Sequence, residues 1–222
     1  MIERDDGFRS IEPLEPYFED MGDWTKEEVD ALSSTGKSVL DLGCGPGRHL
    51  LGLQDGGAFL VGLDTSDLVL GVCRERGGRN LVRGSSRRLP FRAGTFDSAI
   101  LMSNGLGLSG GTTETLEMLR DLGRTLRNKG RLIAHTTDPT DEESGVDEEY
   151  RLKNVVEDNP LGLLRIRINY EELTGPWFHL MLMTPVEVQA LLSTAGFRIV
   201  RSIDWGASRL YISTPERSRR HI

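Results

Sequence analysis

The chain has 222 residues, 37% hydrophobic and 27% charged, a balance that suits one substantial soluble core and leaves little room for two complete domains. No stretch approaches the ~20 apolar residues that span a bilayer, and Met1-Ile2-Glu3-Arg4-Asp5-Asp6 lacks the basic start and apolar run of a secretory signal, so a cytoplasmic protein with no membrane partner is expected. The net charge of −7 argues against a phosphate-tracking nucleic-acid surface, and the basic run Arg217-Ser218-Arg219-Arg220-His221 reads as a solvated end.

In chain order, residues 1–35 form a lead-in, acidic and Pro-punctuated from residue 10 and then helical. Trp24-Thr25-Lys26-Glu27-Glu28 carries a Thr N-cap with a Glu three positions on, which is a capping box. Ser38–Leu42 reads as a strand, with a helix from about Arg48. Ala58–Leu63 is a second strand, with a helix from Ser66. Asn80–Arg83 and Phe96–Met102 follow, then a 3.6-period stretch over Glu114–Leu126 and a fifth strand at Arg131–Thr136. This β-α alternation predicts a parallel sheet covered on both faces, with right-handed crossovers.

The end of the chain differs. A helix over Pro185–Thr194 precedes strands at Phe197–Ile203 and Arg209–Ser213, which only five residues separate. A parallel crossover needs about a dozen residues, so this pair must be an antiparallel hairpin. The fold class is therefore α/β: a doubly wound, mainly parallel, seven-stranded Rossmann-like sheet with an antiparallel last strand. One domain is expected, with a cofactor core at 36–138, an insertion at 139–183 and a C-terminal helix and hairpin at 184–222.

The insertion opens with an acidic, exposed stretch over Asp138–Glu149. It then alternates: Leu164, Ile166, Ile168 and Tyr170 on one face, Arg165, Arg167, Asn169 and Glu171 on the other. After Thr174-Gly175-Pro176, Trp177–Met183 can pair with it as a β-hairpin. Leaving the sheet where ligands bind in open α/β folds, the insertion reads as a lid over a pocket. A ribbon that pairs with a second copy in a homodimer is the rival reading.

The chemistry centres on Val39-Leu40-Asp41-Leu42-Gly43-Cys44-Gly45-Pro46-Gly47-Arg48-His49, a strand entering a glycine turn that opens a helix. Glycines let backbone pass close to a ligand at positive φ. The spacing Gly43-x-Gly45-x-Gly47 is not the G-x-G-x-x-G of dinucleotide binders, which disfavours an NAD(P) dehydrogenase. The next strand ends at Asp64-Thr65-Ser66, where an acid can accept hydrogen bonds from ribose hydroxyls. Asp64 can equally cap the following helix, as can Ser66.

With Gly62–Ser66, Leu89-Pro90-Phe91 and Phe96-Asp97, these blocks resemble the class I S-adenosylmethionine-dependent methyltransferases of small-molecule type, strongly over residues 36–136. Ala195-Gly196-Phe197 before the final hairpin matches the same layout. The resemblance implies S-adenosylmethionine as cofactor. Asp41 and the turn Gly43, Cys44, Gly45 and Gly47 would hold its methionine end, and Asp64, Thr65 and Ser66 the ribose. Ser85 and Ser86 would meet adenine, where the family often has Gly-Asp-Ala. Met102 and Ser103 would present backbone carbonyls to the amino group. The Asn-Pro-Pro-Tyr signature of base methylases is absent after the fourth strand.

Methyl transfer from a sulfonium is an in-line displacement that needs positioning and water exclusion, plus a general base only where the acceptor must lose a proton. His135 and Asp138, at the end of the fifth strand, are the candidates for that base. Asn104, Tyr170, Trp177 and His179 are candidates for the substrate pocket. Each also has a plain structural reading, as a core histidine, a turn or the hairpin's apolar face. The expected acceptor is a small organic molecule. A protein or RNA methyltransferase, and a non-catalytic S-adenosylmethionine-binding protein, are the alternatives. Two cysteines, Cys44 and Cys73, are too few for a disulfide framework or a Cys-based zinc site and read as small packing groups. Four scattered histidines indicate no metal site.

Overall fold

The computed structural model describes residues 1–216. Two short strands, β1 (Ile2–Arg4) and β2 (Arg9–Ser10), precede helix α1 (Lys26–Leu32). Strand and helix then alternate through β3 (Ser38–Leu42), α2 (Arg48–Asp55), β4 (Phe59–Asp64), α3 (Asp67–Glu75), β5 (Leu81–Arg83), β6 (Phe96–Leu101), α4 (Thr112–Thr125) and β7 (Leu126–Thr137). The remainder comprises α5 (Glu148–Val156), β8 (Gly162–Tyr170), β9 (Leu173–Thr174), β10 (Phe178–Leu182), α6 (Pro185–Thr194), β11 (Phe197–Trp205) and β12 (Ser208–Pro215). The basic run at 217–221 lies outside the described residues.

The main sheet has seven strands in the order β11-β12-β7-β6-β3-β4-β5. Neighbours from β5 to β7 are parallel, and β12 runs antiparallel to both β7 and β11. The reversed strand is therefore interior, not an edge. Its run Leu210-Tyr211-Ile212-Ser213 is buried at four successive positions, as a strand covered on both faces must be. Edge strand β11 instead alternates, with its polar residues exposed. Side-chain alternation divides the core into two layers. Leu40, Leu42, Ala99 and Leu101 face Met118, Leu119 and Leu122 of α4; Val39, Leu60 and Ile100 face Ala31, Leu32, Leu50 and Leu70 on α1, α2 and α3. The capping box on α1 is present, Thr25 and Glu28 each bonding the other's backbone N–H.

A second, antiparallel sheet has the order β10-β8-β1-β2, with β9 folded back on β8. Leu164 and Ile166 oppose Leu180 and Phe178 across the β8–β10 ladder. On the other side of β8, Ile2, Glu3 and Arg4 pair with Ile168, Arg167 and Ile166. This corrects the expectation of a helical lead-in over residues 1–35: its first ten residues belong to the insertion's sheet. Charge anchors them. Arg4 is buried, bonds Asp6 at 2.6 Å and Asp147 at 2.5 Å, and lies over the Tyr150 ring, 4.2 Å from its centroid. Glu3 accepts from Arg167 at 2.8 Å and from Asn169 at 2.9 Å.

In the acidic stretch Asp141, Glu142, Glu143, Asp147, Glu148 and Glu149 are exposed, as expected, and the stretch is also tied down. Asp147 caps α5 by accepting from the Tyr150 N–H, and Val146 and Tyr150 are buried against Leu182. The predicted apolar row of β8 is buried only at its inner end, since Ile168 and Tyr170 are 55% and 53% exposed. Trp177 does not join that row. The Arg165 and Arg167 guanidinium groups lie 5.3 and 4.6 Å from its ring centroid, so it stacks on the cationic face.

Candidate functional site

The carboxyl ends of β3, β4, β6 and β7 converge. Strand β3 delivers Asp41 and then the turn, in which Gly43, Gly45 and Gly47 have φ of +77°, +54° and +94°. A Cβ on Gly43 would meet Leu108 Cδ1 at 2.7 Å, and one on Gly47 would meet Cys73 Sγ at 2.6 Å, whereas one on Gly45 would meet nothing within 4 Å. Gly45 thus faces open space while its neighbours are packed. The N–H groups of Gly43 and Cys44 donate to the Leu63 carbonyl at 2.8 and 3.2 Å, fastening the turn to β4.

Asp64 ends β4 with both oxygens engaged. Oδ2 accepts the Gly45 N–H at 3.1 Å and Oδ1 the Ser66 N–H at 3.0 Å. The cap of α3 is Ser66, whose hydroxyl accepts from Val69, so of the two readings left open the cap falls to Ser66. Thr65 is exposed beside them. Asp41 is 2% exposed, and its Oδ2 has no hydrogen-bond partner among the described residues. Burial, aided by Cys73 and Asp64 nearby, pushes its pKa up to about 8.

Beyond β5, the exposed Ser85 hydroxyl accepts from the Arg87 N–H. Ser86 lies 3.1 Å from the Ser109 hydroxyl, which joins this loop to the one after β6. That second loop starts at buried Met102 and continues through Ser103 and Asn104, both left-handed at φ of +49° and +61°. The Asn104 N–H donates to His135 Nδ1 at 2.8 Å, and Asn104 Oδ1 accepts from the Thr137 N–H and hydroxyl at 2.8 and 3.0 Å. His135 is buried with its ring edge-on to Trp205. Burial lowers its pKa to about 4, so the imidazole is neutral, and its Nδ1 is occupied as an acceptor. Asp138 Oδ1 accepts from the Thr140 N–H and hydroxyl. It lines a cavity of about 110 Å³ with Thr136, Asp204, Arg209 and Tyr211.

The structure therefore joins Asn104 to His135, sets Asp138 in a cavity whose lining includes neither of them, and separates the other pocket candidates. His179 of β10 packs its Cβ against Gly110, 2.8 Å from where a Cβ there would stand, and Gly107 sits so close to the Met181 carbonyl that no side chain fits. Strand β10 thus lies on the loop after β6, with the His179 side chain exposed. Tyr170 pairs with Leu173 at the outer tip of β8.

One group of residues escaped the sequence reading. Arg48, first residue of α2, bonds Glu19 at 2.6 Å and also Glu28, and His49 Nε2 lies 3.1 Å from Glu28. Arg76 donates to the Pro46 and Phe18 carbonyls at 3.0 and 2.8 Å. Residues 18–28 are thereby strapped across the glycine turn. Burial alone would raise the Glu28 pKa, but hydrogen bonds from His49 and Arg48 hold it well below the usual carboxylate range. The capping-box pattern disclosed Glu28, and nothing local disclosed its second duty.

Comparison with known proteins agrees with this geometry. A family model described as "Methyltransferase domain" matches residues 39–130. The cypemycin N-terminal methyltransferase of Streptomyces sp is 34% identical over 109 residues, 48% of this chain and 44% of that protein. The demethylmenaquinone methyltransferase of Beutenbergia cavernae is 37% identical over 113 residues, 50% of this chain and 45% of that protein. The chain thus spans less than half the length of these curated relatives, and 18S rRNA (guanine-N(7))-methyltransferases also match. An S-adenosylmethionine-dependent methyltransferase from Bacteroides fragilis, solved with S-adenosyl-L-homocysteine, superposes with a TM-score of 0.80 at 23% identity, covering 97% of this chain and 86% of that one. The seven-stranded sheet is the class I methyltransferase fold, and residues 39–130 within it are what matches the methyltransferase domain model.

Proposed function

We propose that the protein binds S-adenosylmethionine over the glycine turn and transfers its methyl group to a small organic acceptor. The observation that carries this reading is the open face of Gly45, whose N–H donates to Asp64, together with a buried Asp41 oxygen that has no partner among the described residues. These residues fit the cofactor. An ammonium near Asp41 would supply the charge that ionises it, and Asp64 keeps lone pairs for ribose hydroxyls beyond the two backbone bonds it accepts. Gly45 offers its open face to the ligand, and Gly43, Cys44 and Gly47 shape the turn around it. Ser85, Ser86, Met102 and Ser103 bound the far end of the cleft.

The cofactor supplies an electrophilic methyl; the protein positions the acceptor and excludes water. The sheet of β1, β2, β8 and β10, resting on the loop after β6, walls the acceptor side, and residues 139–183 carry acceptor choice. Where the acceptor must lose a proton, Asp138 would receive it. His135 holds the Asn104 loop through Nδ1, and its Nε2–H is a donor. The relatives' names include demethylmenaquinone and 18S rRNA (guanine-N(7)) methyltransferases. The overall charge of −7 favours the small acceptor. Among the described residues no helix is long and apolar enough to cross a membrane. The exposed Ile168, Tyr170 and Leu173 support the rival reading of this sheet as a homodimer ribbon, which sedimentation of the purified chain would distinguish.

Thermal unfolding with S-adenosylmethionine, S-adenosylhomocysteine and NAD tests the cofactor. At ~100-fold above Kd a ligand adds about 2.7 kcal/mol to native stability. Melting raised by the first two and not by NAD is expected. A curve unmoved by either sulfur compound at millimolar concentration overturns the reading. Methyl transfer from labelled cofactor to small amines, phenols and carboxylates then separates an enzyme from a binding protein.

A further inference from the structure

Strand β8 carries Arg165 and Arg167 two residues apart, so both side chains project to the same side of the second sheet. Across the ladder His179 opposes Arg165 and Met181 opposes Leu163, and opposed side chains share a face. Met181 is buried in the main core, its carbonyl lies against Gly107, and the His179 Cβ packs on Gly110. This face therefore turns toward the loop after β6. Helix α5 covers the opposite face, where Leu164 and Leu180 pack with Val146 and Tyr150. Outward from Met181 and His179 the arginine face leaves that loop, and Arg165 is exposed.

The charge of this row is unbalanced. Glu3 bonds Arg167 at 2.8 Å and Arg9 at 3.1 Å, one carboxylate serving two cations. The Arg165 guanidinium has no carboxylate partner among the described residues. It rests on the Trp177 ring, 5.3 Å from the centroid, with Arg167 on the same ring at 4.6 Å. Cations side by side repel, and the shared ring offsets part of that cost. Stacking also restrains Arg165 while its N–H fork stays unused. Such a fork matches the oxygens of a carboxylate or phosphate two at a time.

We infer that Arg165, ordered on Trp177 beside Arg167, binds an oxyanion of the methyl acceptor, which makes the acceptor a small carboxylate- or phosphate-bearing molecule. The inference rests on the proposed function for the place of the acceptor. The second sheet meets the main domain at the carboxyl edge of β6, so an acceptor anchored at Arg165 extends along the arginine face, past His179, toward that loop. One aromatic ring among the arginines, in a chain of net charge −7, suits a small anion better than a nucleic-acid strand, which needs successive stacking platforms.

Calorimetric titration of the full chain with benzoate, inorganic phosphate and the neutral benzamide tests the site, with affinity for S-adenosylhomocysteine measured on the same samples. Benzoate or phosphate should bind and benzamide should not. The tighter of the two anions distinguishes a carboxylate acceptor from a phosphorylated one. Arg165→Gln should weaken the anion ~10-fold or more. Arg165→Lys, which keeps the charge and loses the fork, should fall between, and Arg198→Gln on edge strand β11 should change nothing. Affinity for S-adenosylhomocysteine should be the same in all of them. In labelled-methyl transfer, Arg165→Gln should raise KM for anionic acceptors by the same factor. Binding of neither anion, equal loss in Arg198→Gln, or turnover confined to uncharged acceptors overturns the inference. Binding of a single-stranded RNA oligomer in place of both small anions overturns it as well. A chain that binds the oxyanion and not S-adenosylhomocysteine overturns the cofactor reading instead.

Discussion

The backbone N–H of Asn104 donates to Nδ1 of His135 at 2.8 Å, which fixes the imidazole in the tautomer protonated at Nε2 and pins the loop after β6 to β7. Because burial holds His135 near pKa 4, the folded state refuses a proton that the unfolded chain accepts near pH 6.5. Stability should be full above pH 6.5 and fall as the pH drops towards 4, by about 3 kcal/mol from this residue alone. His135→Asn, which keeps an acceptor near the Nδ1 position, should flatten that part of the profile. An unchanged slope between pH 4 and 6.5 in urea unfolding would remove His135 as its source.

Asp41 behaves with the opposite sign. Its folded pKa of about 8 lies above the unfolded value near 3.9, so its contribution to stability is present at low pH and is lost as the pH rises towards 8. Binding a cationic cofactor favours the carboxylate. Affinity for S-adenosylmethionine should therefore rise between pH 6 and 8, with uptake of about one proton by the buffer. Asp41→Asn should weaken binding and abolish the slope; titration in two buffers of different ionisation enthalpy checks both.

Asp64→Asn tests the ribose role. It retains an oxygen for one backbone bond and loses the charge. Affinity should fall by about 1.5–3 kcal/mol, while the melting temperature falls little, since the α3 cap belongs to Ser66. Full affinity in a folded Asp64→Asn protein would reduce Asp64 to a fastening between β4 and the turn.

Gly45→Ala and Gly47→Ala should part company. Both positions have positive φ, costing about 1 kcal/mol for a side chain. At Gly47 the methyl also collides with Cys73 Sγ, so that variant should lose stability. At Gly45 it enters open space, so that variant should fold and lose cofactor affinity. Equal effects on melting would refute the claim that Gly45 faces a ligand.

Arg4→Ala should loosen the second sheet. The guanidinium is 4% exposed and bridges Asp6 and Asp147, and charged hydrogen bonds of this sort contribute about 1.5–3 kcal/mol. Hydrogen exchange should quicken in β8 and α5 with the main sheet unaffected. Uniform quickening would show that the two sheets unfold as one unit.

What could be read from the chain was local. The order of β3, α2, β4 and α3, the α1 capping box, the reversed strand near the end and the motif from Asp41 to Ser66 each depend on periodicity or on residues a few positions apart. A buried strand that meets three alternating glycines announces a close backbone approach without reference to anything distant. The tertiary structure decided what depends on contacts between remote segments. The charged strand Ile2–Arg4 has no apolar alternation, and its partners lie about 160 residues onward at Ile166–Ile168, so no window of sequence could disclose it. Trp177 read as apolar because its cationic partners are on another strand. The same holds for the strap of Glu19 and Glu28 over Arg48. Burial and charge act through space, and the chain lists only its neighbours in sequence.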